Sequence, residues 1–200
     1  MTTLRKPGGR VCPAVAAAVL VCMAGVMPPV AALESGPYSG SATLCAMDMT
    51  GVTVESKGNA GTTYTYNQLF LFRIDTDNDL MHGWEVLTAN TKATQGGGGY
   101  NWGEALLTPD GYAGTGTLVD NFKFPLQRAD SVRGMYEGTG MLEGVTVDYA
   151  LTPADPGTLP ASACDNMPWT GCIPSDPTTC EPVPSGAAGY WMSGWVNPAD

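Results

Sequence analysis

The chain has 200 residues, with 9 Lys and Arg against 19 Asp and Glu, for a formal net charge of −10. That length fits one domain, and the acidic balance argues against nucleic acid or anionic membrane surfaces as partners, because both attract clustered Lys and Arg. Only 14% of residues are charged, while 26 are Gly and 16 are Pro, so a helical bundle or coiled coil is a poor fit and a turn-rich fold a good one.

Residues 1–32 read as a secretory leader. Arg5, Lys6 and Arg10 precede an apolar stretch from Val11 to Val26, and Val30-Ala31-Ala32 supplies small residues for cleavage before Leu33. The apolar stretch is short for a membrane span and is broken by Pro13. Cleavage would leave residues 33–200 as a single exported domain, periplasmic or extracellular and free of the membrane. It would carry 6 basic and 19 acidic side chains, net −13.

From Tyr38 to Leu151 the pattern is alternating. Tyr64, Tyr66, Phe70, Phe72 and Ile74 fall on one face by period two, as do Val145, Val147, Tyr149 and Leu151; this is the signature of half-buried strands. Further strands are expected over 38–49, 81–91, 100–107, 112–119, 132–142 and 189–196. No helical stretch intervenes, so antiparallel hairpins are expected in place of βαβ units. Closure into a barrel would remove the exposed sheet edges. The fold expected is therefore all-β, an antiparallel closed barrel.

Turns punctuate the strands. Asp75, Asp77 and Asp79 are spaced like the first three ligands of a calcium loop, but Leu80 and Val86 stand where that loop needs Gly and a bidentate Glu. A solvated turn is the favoured reading, with weak calcium binding as the alternative. Pro109-Asp110-Gly111 is a tight turn. Residues 152–186 hold eight of the sixteen prolines and Cys164, Cys172 and Cys180. They read as one long loop braced by disulfides, too poor in apolar residues for a core of its own.

Four cysteines remain beyond the leader: Cys45, Cys164, Cys172 and Cys180. An even count in an exported chain favours disulfides, and four cysteines allow three connectivities. Pairing Cys172 with Cys180, and Cys164 with Cys45, would tie the loop to the barrel. No CxxC is present and the single histidine, His82, is distant in sequence, so no metal site is expected.

A repeat runs through the chain. Tyr112-Ala-Gly-Thr-Gly-Thr-Leu118 matches Tyr136-Glu-Gly-Thr-Gly-Met-Leu142, with a weaker copy at Tyr38–Leu44. Paired glycines on one strand face leave room for a bulky neighbour or a bend, and this is favoured over ligand contact. The run from Gly134 to Val145 resembles the strand–turn–strand of small exported β-barrels, the group similar to allene oxide cyclase and dirigent barrels and related bacterial exported proteins. His82-Gly83 and Pro109-Asp110-Gly111 also resemble features of those bacterial chains. The resemblance spans about residues 38–151 and implies about eight antiparallel strands around a central apolar cavity. It transfers no catalytic residue. The loop over 152–186 departs from its pattern.

Candidate chemistry is sparse. No GxSxG is present, and His82, beside a Gly at a strand start, is expected to make a structural hydrogen bond. Glu104 shares a face with Tyr100, Trp102 and Leu106. Were that face inward, Glu104 would be a desolvated carboxylate fit for acid/base work; were it outward, an ordinary surface charge. Glu85 offers the same argument between Gly83 and Leu87. Tyr66, Phe70, Phe72, Trp102 and Tyr149 are the expected ligand-binding aromatics. The function expected is non-enzymatic binding of a small apolar or aromatic ligand without a cofactor. The alternatives are a cofactor-free isomerase or cyclase using Glu104, and a structural or surface-interaction protein with a packed barrel.

Overall fold

The computed structural model describes residues 35–58, 61–126, 132–155, 157–169, 180–182 and 188–198. The leader, Cys172 and most of 170–187 lie outside the described residues, so the proposed cleavage and the Cys172–Cys180 pairing are not addressed by it.

Ten strands form one antiparallel sheet: β1 (Gly36–Asp48), β2 (Thr53–Lys57), β3 (Thr62–Thr76), β4 (Gly83–Ala93), β5 (Gly99–Pro109), β6 (Gly116–Pro125), β7 (Val132–Gly140), β8 (Thr146–Pro153), β9 (Cys180–Pro182) and β10 (Gly189–Asn197). The order β3-β4-β5-β6-β7-β8-β10-β1 returns to β3, which closes an eight-stranded barrel. The short strands β2 and β9 extend β3 and β1 beyond the ring. Closure pairs the backbone of every ring strand on both sides, which is how an all-β chain avoids exposed edges.

Most of the expected strands are present with boundaries moved by a few residues. The exception is the start of the sixth: Tyr112 ends a short 3-10 turn and pairing begins only at Gly116. β2 was not expected, because Thr-Val-Glu-Ser-Lys is too short and polar to show alternation.

The two ends of the barrel differ. At one end, the 3-10 turn Asp79–Met81 drops Leu80 and Met81 into the core, where they join Leu107, Leu118, Leu142 and Val147, all fully buried. Asn78 caps this turn by accepting the Leu80 amide at 3.0 Å. The repeated glycines belong to the same end. A Cβ on Gly116 would lie 2.8 Å from Leu142 Cγ, and one on Gly138 would strike the Leu142 backbone. The glycines thus make room for a bulky neighbour. At the other end no such plug is present among the described residues.

A β-bulge decides which aromatics face inward. β3 pairs with β4 as Thr65 with Thr91 and then Gln68 with Ala89, so β3 carries one extra residue there. Asn67 takes the left-handed conformation, φ 60°, which Asn tolerates better than most residues. One extra residue reverses the side-chain parity of a strand. Phe70, Phe72 and Ile74 therefore face inward, whereas Tyr64 and Tyr66 face outward; period two alone had placed all five together.

A second irregularity sits between Leu44 and Ala46 of β1. Cys45 occupies it and bonds to Cys164, with Cα atoms 5.3 Å apart. The bridge ties residue 164 to the barrel across 119 positions of sequence, as expected for that pair. Among the described residues no helix is long and apolar enough to cross a membrane.

Candidate functional site: a barrel lumen with buried carboxylates

Inside the barrel is a chamber of about 80 Å³, lined by Phe72, Ile74, Leu87, Phe122, Phe124, Val132, Tyr190 and Met192 around one carboxylate, Glu85. Phe72, Leu87, Phe122, Phe124 and Tyr190 also border a wider vestibule of about 480 Å³. The vestibule lies at the unplugged end, where Gln68, Thr91 and Asn101 add a sparse polar rim to Leu44, Phe70 and Ala89. The lumen is thus a blind tube, apolar except at two places.

The deeper polar place is built from five strands. Glu85 on β4 faces inward because Phe72 and Leu107, its register partners on β3 and β5, do. Tyr136 of β7 donates its hydroxyl to Glu85 Oε2. Tyr149 of β8 donates to Asp120 Oδ2 of β6 at 2.5 Å. The two rings are tilted against each other with centroids 4.9 Å apart. Tyr38 of β1 donates to the backbone oxygen of Asp148 at 3.1 Å.

Glycines admit these phenols. Tyr38, Gly194, Tyr149 and Gly134 are register partners in turn across β1, β10, β8 and β7. A Cβ at Gly134 would overlap the Tyr149 hydroxyl, and one at Gly194 would sit 2.7 Å from that of Tyr38. Alternating Tyr and Gly around one level lets each ring lie across its neighbour.

Burial governs the electrostatics. Desolvation lifts the Glu85 carboxyl from 4.5 to about 7, against the Tyr136 hydrogen bond, which favours the ionised form; the nearby Asp120 charge adds to the lift. Asp120 is likewise raised by burial, opposed by Tyr149. The phenols of Tyr136, Tyr149 and Tyr38 are held above their ordinary value, first by burial and then by the surrounding carboxylates, so they remain donors at neutral pH.

The expected site residues divide. Phe72 and Tyr149 line the chamber, and Phe70 and Phe72 the vestibule. Tyr66 and Trp102 lie on the outer face, in edge contact at 6.1 Å. Glu104 is exposed on the same face, with Thr88 and Asn121 as register partners. Its inward alternative is therefore corrected: Ala105 and Leu107 are the inward residues of β5, and the apolar neighbours of Glu104 belong to an exterior aromatic layer. Lys92 and Lys123 lie over Tyr100 in that layer at 5.7 and 4.6 Å, which is how such rings live in water. Of the two glutamates the buried one is Glu85, whose weaker apolar neighbours had made it the lesser candidate. Asp120, Tyr136 and Tyr38 were missed; of the three only Tyr38 lies opposite a glycine, Gly194, while Asp120 and Tyr136 lie opposite Ala105 and Val147.

Two other expectations concern the plugged end. Asp75 meets His82 Nδ1 at 3.1 Å, and Asp77 accepts from the Ser39 amide at 2.8 Å. The acidic turn is thus dispersed among separate partners, and no group of three metal-ligating side chains is found among the described residues. His82 Nε2 lies 2.6 Å from an Arg73 nitrogen. A guanidinium only donates, so Nε2 is the accepting side of this contact, and Nδ1 faces Asp75. Arg73 also holds Asp110 through two bonds of 3.1 and 2.7 Å, which keeps the Asp110 carboxyl below its ordinary range.

No protein-family model, curated protein or solved structure matches this chain.

Proposed function

We propose that this is an exported barrel that binds a small apolar or aromatic molecule in its lumen, within the group that the Gly134–Val145 run resembles. The observation that carries the reading is the blind apolar tube, a chamber of about 80 Å³ continuous through Phe72, Leu87 and Phe122 with a vestibule of about 480 Å³. Ligand sites are concave, mostly apolar and furnished with a few placed polar groups, and eight-stranded barrels have room for one small ligand. The leader-like residues 1–32 and the Cys45–Cys164 bridge support an oxidising destination outside the cytoplasm.

Native mass spectrometry of the protein purified gently from its own cells tests the binding reading. A discrete small-molecule adduct released by organic solvent is the expected result; bare protein, with no uptake of added apolar compounds, would refute it. Determining the N-terminus of the mature chain tests export, and retention of Met1 would count against it.

A second reading rests on Glu85. A buried carboxyl lifted to about 7 is poised to exchange protons near neutral pH, which suits a cofactor-free isomerase. In that reading Glu85 replaces Glu104 as the acid/base, with Tyr136 as its hydrogen-bond donor.

A further inference from the structure

Among the described residues the charges inside the barrel are all of one sign. Glu85 and Asp120 are buried in the lumen, and no Lys, Arg or His lines the chamber or the vestibule among the described residues. Among the described residues each carboxylate has one phenolic donor and no cation. A phenol satisfies one oxygen but cannot neutralise the charge, and a buried carboxylate without a counter-ion is costly. The described cations lie elsewhere, with Arg133 exposed on β7. Lys57, Lys92 and Lys123 are engaged with the outer aromatics, and Arg73 with Asp110.

Resting on the binding reading above, we propose that the lumen selects an apolar amine, its protonated nitrogen seated at Glu85 and its hydrocarbon or aromatic part extending into the vestibule. The ammonium supplies the missing counter-charge, and its N–H groups have the Glu85 oxygens to donate to. Asp120 deepens the negative potential without contacting the nitrogen. Phe72 and Phe122 line the same chamber, and an aromatic face turned to the nitrogen favours a cation over a neutral head. An anionic ligand meets the opposite: its carboxylate would face two others in a low dielectric.

The geometry also fixes the pH dependence. The groups facing Glu85 are Tyr136 from β7, Tyr149 from β8, Tyr38 from β1 and Asp120 from β6; β3 and β5 present Phe72 and Leu107, and β10 Tyr190 and Met192. Of these only Asp120 is a second acid. An amine binds the ionised form of Glu85, so its affinity rises with pH until Glu85 is ionised in the free protein, and then levels.

Calorimetric titration of the full chain with 2-phenylethylamine, 2-phenylethanol and phenylacetate tests this. The amine is expected to bind at least tenfold tighter than the alcohol, the scale of a charge-assisted hydrogen bond, about 1.5–3 kcal/mol. Phenylacetate should be weakest, and the amine should tighten between about pH 6 and about pH 8. Glu85→Gln should abolish the amine preference while the alcohol still binds. Equal binding of amine and alcohol, or strongest binding of the acid, overturns the proposal but leaves the binding reading standing. No binding by any of the three, nor by an apolar dye, overturns both. The unmodified protein carries the test alone if the variant does not fold.

Discussion

Two aromatic clusters lie on opposite faces of the barrel wall and share one strand, β3. The inner one, with Phe72, Phe122, Tyr136 and Tyr149, surrounds carboxylates and has no cation among the described lining residues. The outer one, with Tyr64, Tyr66, Tyr100 and Trp102, is laced with Lys57, Lys92 and Lys123. Residue type does not separate them. Ring partners do: lysine stems cover aromatic surface that remains wet, whereas glycine gaps accommodate rings that are dry. The division between chamber and surface along β3 falls at Asn67, whose backbone N–H donates to Asn90 Oδ1 at 3.0 Å.

Removing Asn67 should break this division most severely. Deletion would restore a single parity along β3 and drive Phe70 and Phe72 outward or Tyr64 and Tyr66 inward, with an expected loss of more than about 5 kcal/mol or no folded protein. Chemical denaturation of a deletion variant with near-native stability would contradict the bulge as the organising feature.

A single inner ring comes next. Phe72→Ala should cost about 3–5 kcal/mol, as for large cavities in packed cores, because Phe72 is buried between Glu85 and the Ala42–Leu44 stretch of β1. A loss under about 1 kcal/mol in urea unfolding would place the ring outside the packed interior.

Glu85 gives a pH signature. Its carboxyl rises from 4.5 to about 7 on folding, so the native state holds the proton more tightly than the unfolded chain. Its contribution is complete below about pH 4.5 and declines as pH rises to about 7, by on the order of 3 kcal/mol. Glu85→Gln should flatten that part of the stability–pH curve relative to the parent. Parallel curves for the two proteins would show Glu85 to be solvated.

The smallest effect is expected outside. Trp102→Ala removes an exposed-face ring in contact with Tyr66 and Tyr100 and should cost about 0.5–1 kcal/mol by thermal unfolding. A loss as large as that of Phe72→Ala would erase the distinction between the clusters.

Much of the barrel was legible because alternation is a local property. Val145 to Leu151 reads the same in sequence and structure, with Val147 and Tyr149 inward. The Cys45–Cys164 pairing was legible through cysteine parity and spacing. What was not legible depended on register. Glu104 and Glu85 have similar local patterns, and only the pairing of Glu85 with Phe72 and Leu107 puts it in the lumen. Tyr66 was misplaced because a bulge changes parity without changing composition; an Asn in mid-strand, between Tyr66 and Gln68, was the sole local sign. The phenol–carboxylate pairs Tyr136–Glu85 and Tyr149–Asp120 join residues 51 and 29 positions apart, which no periodicity encodes.

Whether the lumen takes a ligand is tested most directly by fluorescence titration with an apolar dye, comparing the parent protein with Leu87→Trp and Trp102→Ala. Leu87 borders both chamber and vestibule, so the added indole fills the passage between them. Saturable one-to-one binding is expected, abolished by Leu87→Trp and preserved in Trp102→Ala. Binding unaffected by Leu87→Trp but lost with Trp102→Ala would move the site to the outer face and contradict it.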